Sequence, residues 1–187
     1  MNNKEIYIKL EKAVGDNNVQ EVSNILDQHS DLDLNDENLY TLHPPLCRAA
    51  KKGFYEICKT LIQYGADVNC IKDRLFSPLW GASSGNHLEI VKLLIENGAD
   101  INAYESSTTA ALNEAAAKGH FEIVRYLIEK GADINRLTTT LLFSPLDWSI
   151  SSGHNEISLF LKEKGASSNI NHDYVWSEVG GGISQHI

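Results

Sequence analysis

Apolar and small residues fall at the same places in a unit that recurs along the chain. From Ser77 to Asn102 the sequence reads SPLWGASSGNHLEIVKLLIENGADIN, and from Ala110 to Asn135, 33 residues on, it reads AALNEAAAKGHFEIVRYLIEKGADIN. Leu88, Val91, Leu94 and Ile95 return as Phe121, Val124, Leu127 and Ile128, a spacing that lays one apolar stripe along a helix. Upstream, Leu79 with Ala82 and Leu112 with Ala115 mark a shorter helix. The pattern therefore predicts two helices per unit, a tight reversal between them, and Gly98 or Gly131 ending the second.

Carrying this register along the chain gives five copies. Their reversals centre on Asn17, Gly53, Asn86, Gly119 and Gly153, spaced by 36, 33, 33 and 34 residues. Each centre is Gly or Asn, the residues that best tolerate a left-handed backbone where a helix ends and the chain turns back. Seven positions earlier stand Leu10, Leu46, Leu79, Leu112 and Leu146, and four earlier stand Ala13, Ala49, Ala82, Ala115 and Ser149, small enough for neighbouring helices to approach closely. Pro78 and Pro145 suit a first helical turn, with Ser77 and Ser144 as caps. Gly65 and Gly165 complete the set of second-helix stops.

Helices of two to three turns are marginal alone, because isolated helices below about 12 residues rarely hold in water. Their stability must come from stacking, which makes the predicted fold an all-α solenoid with nearest-neighbour contacts. The ends are visible in the pattern. Where Ile57, Ile90, Ile123 and Ile157 stand in the later copies, the first has Glu21; where Ile62, Ile95 and Ile128 stand, the fifth has Lys162. Copies one and five are thus expected to cap the stack.

Ser77-Pro78-Leu79-Trp80-Gly81-Ala82 resembles the Thr-Pro-Leu-His-x-Ala motif of the ankyrin repeat at its period of 33, with Trp80 in the His slot as a structural residue. Gly119-His120-Phe121-Glu122-Ile123-Val124 and Gly131-Ala132-Asp133-Ile134-Asn135 are similar to the rest of that consensus. The likeness covers roughly residues 5–169, with repeats at about 5–35, 41–69, 76–102, 109–135 and 143–169, in one domain taken as 1–169. It implies an L-shaped repeat of two antiparallel helices and a hairpin-like loop, with ligands held on loop tips and inner helices. Copies three to five depart from the pattern by lacking the usual loop glycine, with Leu75, Thr108 and Leu141 or Leu142 near that place. The connection between copies one and two is three residues longer than the period, and that between four and five one longer. Residues 170–187 lie outside the repeats as a tail in which Gly180 to Gly182 suggest flexibility, whereas Tyr174, Val175 and Trp176 could fold back.

Composition narrows the function. Apolar residues make up 42% and charged residues 22% of 187, which fits neither a disordered nor a membrane chain. A soluble, cytoplasmic monomer is expected. Acidic residues outnumber basic ones 25 to 16, for a formal charge of -9, which argues against nucleic acid as partner. From Ala13 to Cys47 there are seven carboxylates and no Lys or Arg, so that end could face a basic protein or simply be a solvated face. Cys47, Cys58 and Cys70 show no CxxC pairing and are read as reduced thiols, with Cys58 in an apolar core slot.

No catalytic or cofactor pattern is recognisable. His87, His120 and His154 recur at one slot of successive copies, so the repeat itself accounts for them. His29, His43, His172 and His186 show no metal-ligand spacing, and no phosphate-cradling loop is present. The expectation is a protein that is not an enzyme, needs no cofactor or metal, and binds another protein. A competing reading places an enzyme site in the tail around His172, Asp173 and Trp176.

Candidate partner contacts are the loop residues Ile71, Asp73, Arg74, Phe76, Tyr104, Leu141 and Phe143, with Glu114, Lys118 and Trp148 on the inner helices. Apolar and aromatic side chains grouped at loop tips mark interaction surfaces and favour binding anchors. Phe76 and Phe143 are expected to be the exposed ones, while Leu75 and Leu142 could equally pack loop on loop. A sharper alternative is a stoichiometric inhibitor or immunity-type protein that blocks a basic enzyme or toxin, using the carboxylates of the first copy.

Overall fold

Residues 2–36, 44–70, 77–103, 110–139 and 141–170 are described by a computed structural model of the chain. They form ten helices, two per repeat, and no strand among these residues. The first helices of the pairs are α1 (Asn3–Gly15), α3 (Pro45–Lys52), α5 (Pro78–Ser84), α7 (Ala111–Lys118) and α9 (Pro145–Ser151). The second are α2 (Val19–Gln28), α4 (Tyr55–Gln63), α6 (Leu88–Glu96), α8 (Phe121–Glu129) and α10 (Asn155–Glu163). First helices pack on first helices and second on second, so two parallel layers run the length of the stack.

All five expected reversals adopt the left-handed backbone, with φ of 53° at Asn17, 81° at Gly53, 60° at Asn86, 78° at Gly119 and 76° at Gly153. Ser77 and Ser144 cap their helices by accepting the N–H groups of Trp80 and Asp147, and Pro78 and Pro145 follow in the first turn. Leu10, Leu46, Leu79, Leu112 and Leu146 are buried, as are Ile57, Ile90, Ile123 and Ile157. One apolar cluster joins Ile6 in α1 to Leu161 in α10. Glu21 and Lys162, which replace apolar residues in the end repeats, are exposed. In the fifth repeat Ser149 and Ser158 take the slots of alanine and of Cys58 or valine; both are buried, and their hydroxyls satisfy each other at 2.9 Å.

Two polar ladders tie one repeat to the next. Asp67 Oδ1 accepts the Asn69 N–H at 2.8 Å, and Asp33, Asp100 and Asp133 do the same for Asn35, Asn102 and Asn135. Each asparagine so held reaches the following loop: Asn35, Asn69, Asn102 and Asn135 accept the N–H groups of Asp67, Asp100, Asp133 and Ser167, all at 2.8 Å. Asn35, Asn69 and Asn102 also donate to the carbonyls of Gly65, Gly98 and Gly131. The second ladder is histidine. Nε2 of His87, His120 and His154 lies 3.2, 3.3 and 3.0 Å from the carbonyls of Lys51, Ser84 and Ala117, near the C-terminus of the preceding repeat's first helix. A carbonyl only accepts, so Nε2 carries the hydrogen in that bond, and burial pulls the His120 pKa below its usual value. The recurrence of histidine is thus explained by stacking.

A third set of ties runs within the first, second, fourth and fifth repeats, from the first helix to the repeat's own loop, and its chemistry changes from copy to copy. In the first, buried Tyr7 donates to the Leu34 carbonyl at 3.2 Å. In the second, Cys47 Sγ lies 3.6 Å from both the Cys70 carbonyl and the Cys70 Sγ. In the fourth, Asn113 Nδ2 donates to the Arg136 carbonyl at 2.9 Å. In the fifth, Asp147 accepts from Ser168 Oγ at 2.6 Å and the Asn169 N–H at 3.0 Å. Cys47, Asn113 and Asp147 share the slot that holds Trp80 in the third repeat, where Lys51 Nζ sits 5.6 Å above the half-buried indole ring.

Candidate functional site

The lengthened connection between repeats four and five carries the apolar surface nearest to a site. Its base is set by backbone pairing around Thr138, which is buried. Thr138 N–H donates to the Phe143 carbonyl at 2.9 Å, Leu142 N–H to the Thr138 carbonyl at 3.0 Å, and Phe143 N–H to Thr138 Oγ1 at 3.1 Å. Asn113 Nδ2 braces the Phe143 carbonyl from α7, and Asn169 Nδ2 holds the Leu142 carbonyl from the end of the fifth repeat. Leu142 takes φ of 54°, supplying the left-handed turn for which the sequence has no glycine. A bulky residue rarely adopts that conformation, and here surrounding hydrogen bonds impose it.

This turn decides which side chains face out. Leu141 and Leu142 are each 53% exposed and Leu137 is 37% exposed, whereas Phe143 is half-buried. The expectation that Phe143 would be the exposed member is therefore corrected. Its ring lies against Trp148, with centroids 5.1 Å apart and planes at 57°. Leu142, left open between packing and exposure, points to solvent. Trp148 has a structural task as a shelf under the loop, and its Nε1 is buried with no hydrogen-bond partner among the described residues.

Along the first-helix face, Glu114 occupies on α7 the slot of Trp148 on α9, and these helices pack together. Glu114 is not a free charge. Its Oε1 accepts the Ser84 hydroxyl at 2.9 Å and lies 3.7 Å from Lys118 Nζ, so it bridges the third and fourth repeats while Lys118 stays exposed. Gly81 holds the equivalent slot on α5, where a Cβ would meet Lys51 Cβ at 3.3 Å and the Cys47 carbonyl at 3.4 Å. Close packing of α3 on α5 makes even a methyl group tight there. Ile71, Asp73, Arg74, Phe76 and Tyr104, together with Leu75, Thr108 and the tail residues His172, Asp173, Tyr174, Val175 and Trp176, lie outside the described residues.

Among the described residues no three His, Cys, Asp or Glu side chains converge as metal ligands, and no helix is long and apolar enough to cross a membrane. Cys58 is buried as its slot required, and burial pushes its thiol pKa up to about 12.

The repeat geometry is matched by comparison with known proteins. The family model described as ankyrin repeats (3 copies) matches residues 10–105 and again 82–172. The chain belongs to the ankyrin-repeat family. A curated relative from Rickettsia bellii (strain RML369-C), itself named as an ankyrin repeat protein, is 39% identical over 67 residues, which is 34% of this chain. The aligned part is 39% of the relative's length, so the chain spans well under half of that protein. Ankyrin repeats generally mediate protein–protein interaction, and their proteins are typically non-catalytic. Fold and family give a scaffold; what this ankyrin-repeat protein binds is decided by the side chains that the scaffold leaves exposed.

Proposed function

We propose that this ankyrin-repeat protein is a non-catalytic module that holds a protein partner along the face built from its loops and first helices. One observation carries the reading: Leu137, Leu141 and Leu142 project from a hydrogen-bonded turn whose underside is closed by Phe143 on Trp148. A hydrogen-bonded turn that presents exposed leucines over an aromatic shelf is ready to bury apolar surface. Leu141 is the anchor, Phe143 and Trp148 support it, and Lys118, exposed on α7, supplies an orienting charge in this reading. Ile71, Asp73, Arg74, Phe76 and Tyr104, on the two preceding connections, extend the same contact surface in this reading.

The inhibitor reading has its own support in the exposed Asp16, Glu21, Asp31 and Asp33 of the first repeat, which would favour a basic partner. A monomer in the cytoplasm fits both readings. The test is affinity capture of the partner, followed by titration of the purified pair with wild type, Leu141→Ala/Leu142→Ala and Asp16→Asn/Asp31→Asn. Loss of affinity in the leucine variant supports the proposed face, and slower association in the charge variant supports a basic partner. Unchanged binding by the leucine variant overturns the anchor assignment.

A further inference from the structure

We propose that Cys47 and Cys70 form a reversible disulfide, made by a hydroperoxide oxidant, that locks the first helix of the second repeat to its own loop. Their sulfurs are 3.6 Å apart, Cys47 on α3 and Cys70 at the end of the loop that follows α4. Oxidation closes that gap to the roughly 2.05 Å of a disulfide bond. The place is one the fold already ties: in the first, fourth and fifth repeats Tyr7, Asn113 and Asp147 bridge the same helix to the same loop by hydrogen bonds. In the second repeat alone, both ends of the tie are thiols. A disulfide there would make covalent a contact that the first, fourth and fifth repeats make through hydrogen bonds.

Burial assigns the order of events. Cys70 is partly exposed, whereas Cys47 is fully buried. The hydrogen bond to Cys70, followed by burial, holds the Cys47 thiol well above its ordinary pKa, which keeps it protonated and a poor first nucleophile. Cys70 sulfur therefore attacks the peroxide: the O–O bond breaks, an S–O bond forms, and the leaving hydroxide takes up the proton that the Cys70 thiol releases, giving water. Cys47 sulfur then attacks the Cys70 sulfenic acid. The S–S bond forms as the S–O bond breaks, and the Cys47 proton departs with the second water. Two thiols lose two electrons and one peroxide gains them. A thiol reductant reverses the bond by exchange. Cys70 directly precedes the Ile71 to Phe76 connection, so oxidation would also alter partner binding, a consequence that, unlike the disulfide, rests on the proposed function.

The test uses the full chain, reduced and then exposed to hydrogen peroxide. After quenching, the protein is unfolded, its free thiols are blocked with N-ethylmaleimide, and intact mass and peptide mapping are recorded. Reduced protein takes up three maleimides, one for each free cysteine. The expected product takes up one, on Cys58, contains a peptide joined through residues 47 and 70, and regains all three sites after dithiothreitol. Cys70→Ser is expected to retain both remaining thiols at the same peroxide dose. Because the wild-type measurement needs no variant, the proposal remains testable even if that substitution impairs folding. Uptake of three maleimides, a linkage through Cys58 or between two chains, or Cys70 oxidised to sulfinic acid beside a reduced Cys47 would each overturn it.

Discussion

Asn69 Oδ1 accepts the Asp100 N–H at 2.8 Å, and Asn69 Nδ2 donates to the Gly98 carbonyl at 3.1 Å. One side chain therefore joins the second repeat to both sides of the loop that starts after α6. Asn69→Ala removes both bonds at an exposed position where water replaces part of what is lost. A decrease of about 1 kcal/mol in stability is expected, at the low end of two net hydrogen bonds. Urea unfolding followed by circular dichroism measures it, with Asn135→Ala, which loses its bond to Ser167, as a milder comparison.

Gly119 and Gly153 occupy one slot with φ of 78° and 76°, yet their surroundings differ. A Cβ on Gly119 would meet the His154 ring at 2.6 Å, whereas one on Gly153 meets nothing within 4 Å among the described residues. Gly153→Ala is expected to cost about 1 kcal/mol for the left-handed backbone alone. Gly119→Ala carries the same strain and also displaces His154 from the Ala117 carbonyl, so its thermal midpoint should fall further. Equal midpoints for the two variants would remove the histidine ladder from the stability of the stack.

Asp147 is buried, and its carboxylate accepts from Ser144 N and Oγ, Ser168 Oγ and Asn169 N. Burial raises its pKa and is the largest single influence, but the hydrogen bonds from Ser168, Ser144 and Asn169 together outweigh it and hold the pKa below the usual carboxylate value. A lowered folded pKa means that the unfolded chain binds the proton more readily. The stabilisation is complete above the unfolded value of about 3.9 and is lost as pH falls through the folded one. Asp147→Asn should cost about 1–3 kcal/mol at pH 7 by leaving buried donors short of an acceptor. The gap from wild type should narrow in urea titrations carried down to pH 3; a gap that stays constant would contradict the assignment.

Leu142 holds φ of 54° while 53% exposed, a strained backbone with no burial to offset it. Leu142→Gly is expected to raise stability by up to about 1 kcal/mol, since glycine adopts that conformation freely. Affinity for the captured partner should drop in the same variant if the strained leucine is kept for contact. Differential scanning fluorimetry and calorimetric titration separate the two effects. A variant that is more stable and binds equally well would place the contact elsewhere on the loop.

Much of the fold was legible because a repeat states each structural requirement several times. Anchors at Asn17, Gly53, Asn86, Gly119 and Gly153 fall into one register, and every one has the backbone that its residue type implied. The candidate site was less legible. Nothing in the order of Leu141, Leu142 and Phe143 says which side chain turns inward; the hydrogen bonds around Thr138 and the ring of Trp148 decide it. Asn113 and Asp147 looked like ordinary helix residues, and their ties to the loop emerge only when residues more than twenty positions away come within reach.

Cys47 and Cys70 mark the same boundary. Their spacing matches no thiol motif, since cysteine motifs in sequence record neighbours along a chain rather than across a helix and its loop. Local rules, the period of apolar residues, the caps and the turn residues, determined by themselves that this protein is a stack of paired helices with polar ends. Only the tertiary structure decided which polar and sulfur atoms meet and which leucines remain in water, because those outcomes depend on the distance between elements rather than on the preference of any one of them.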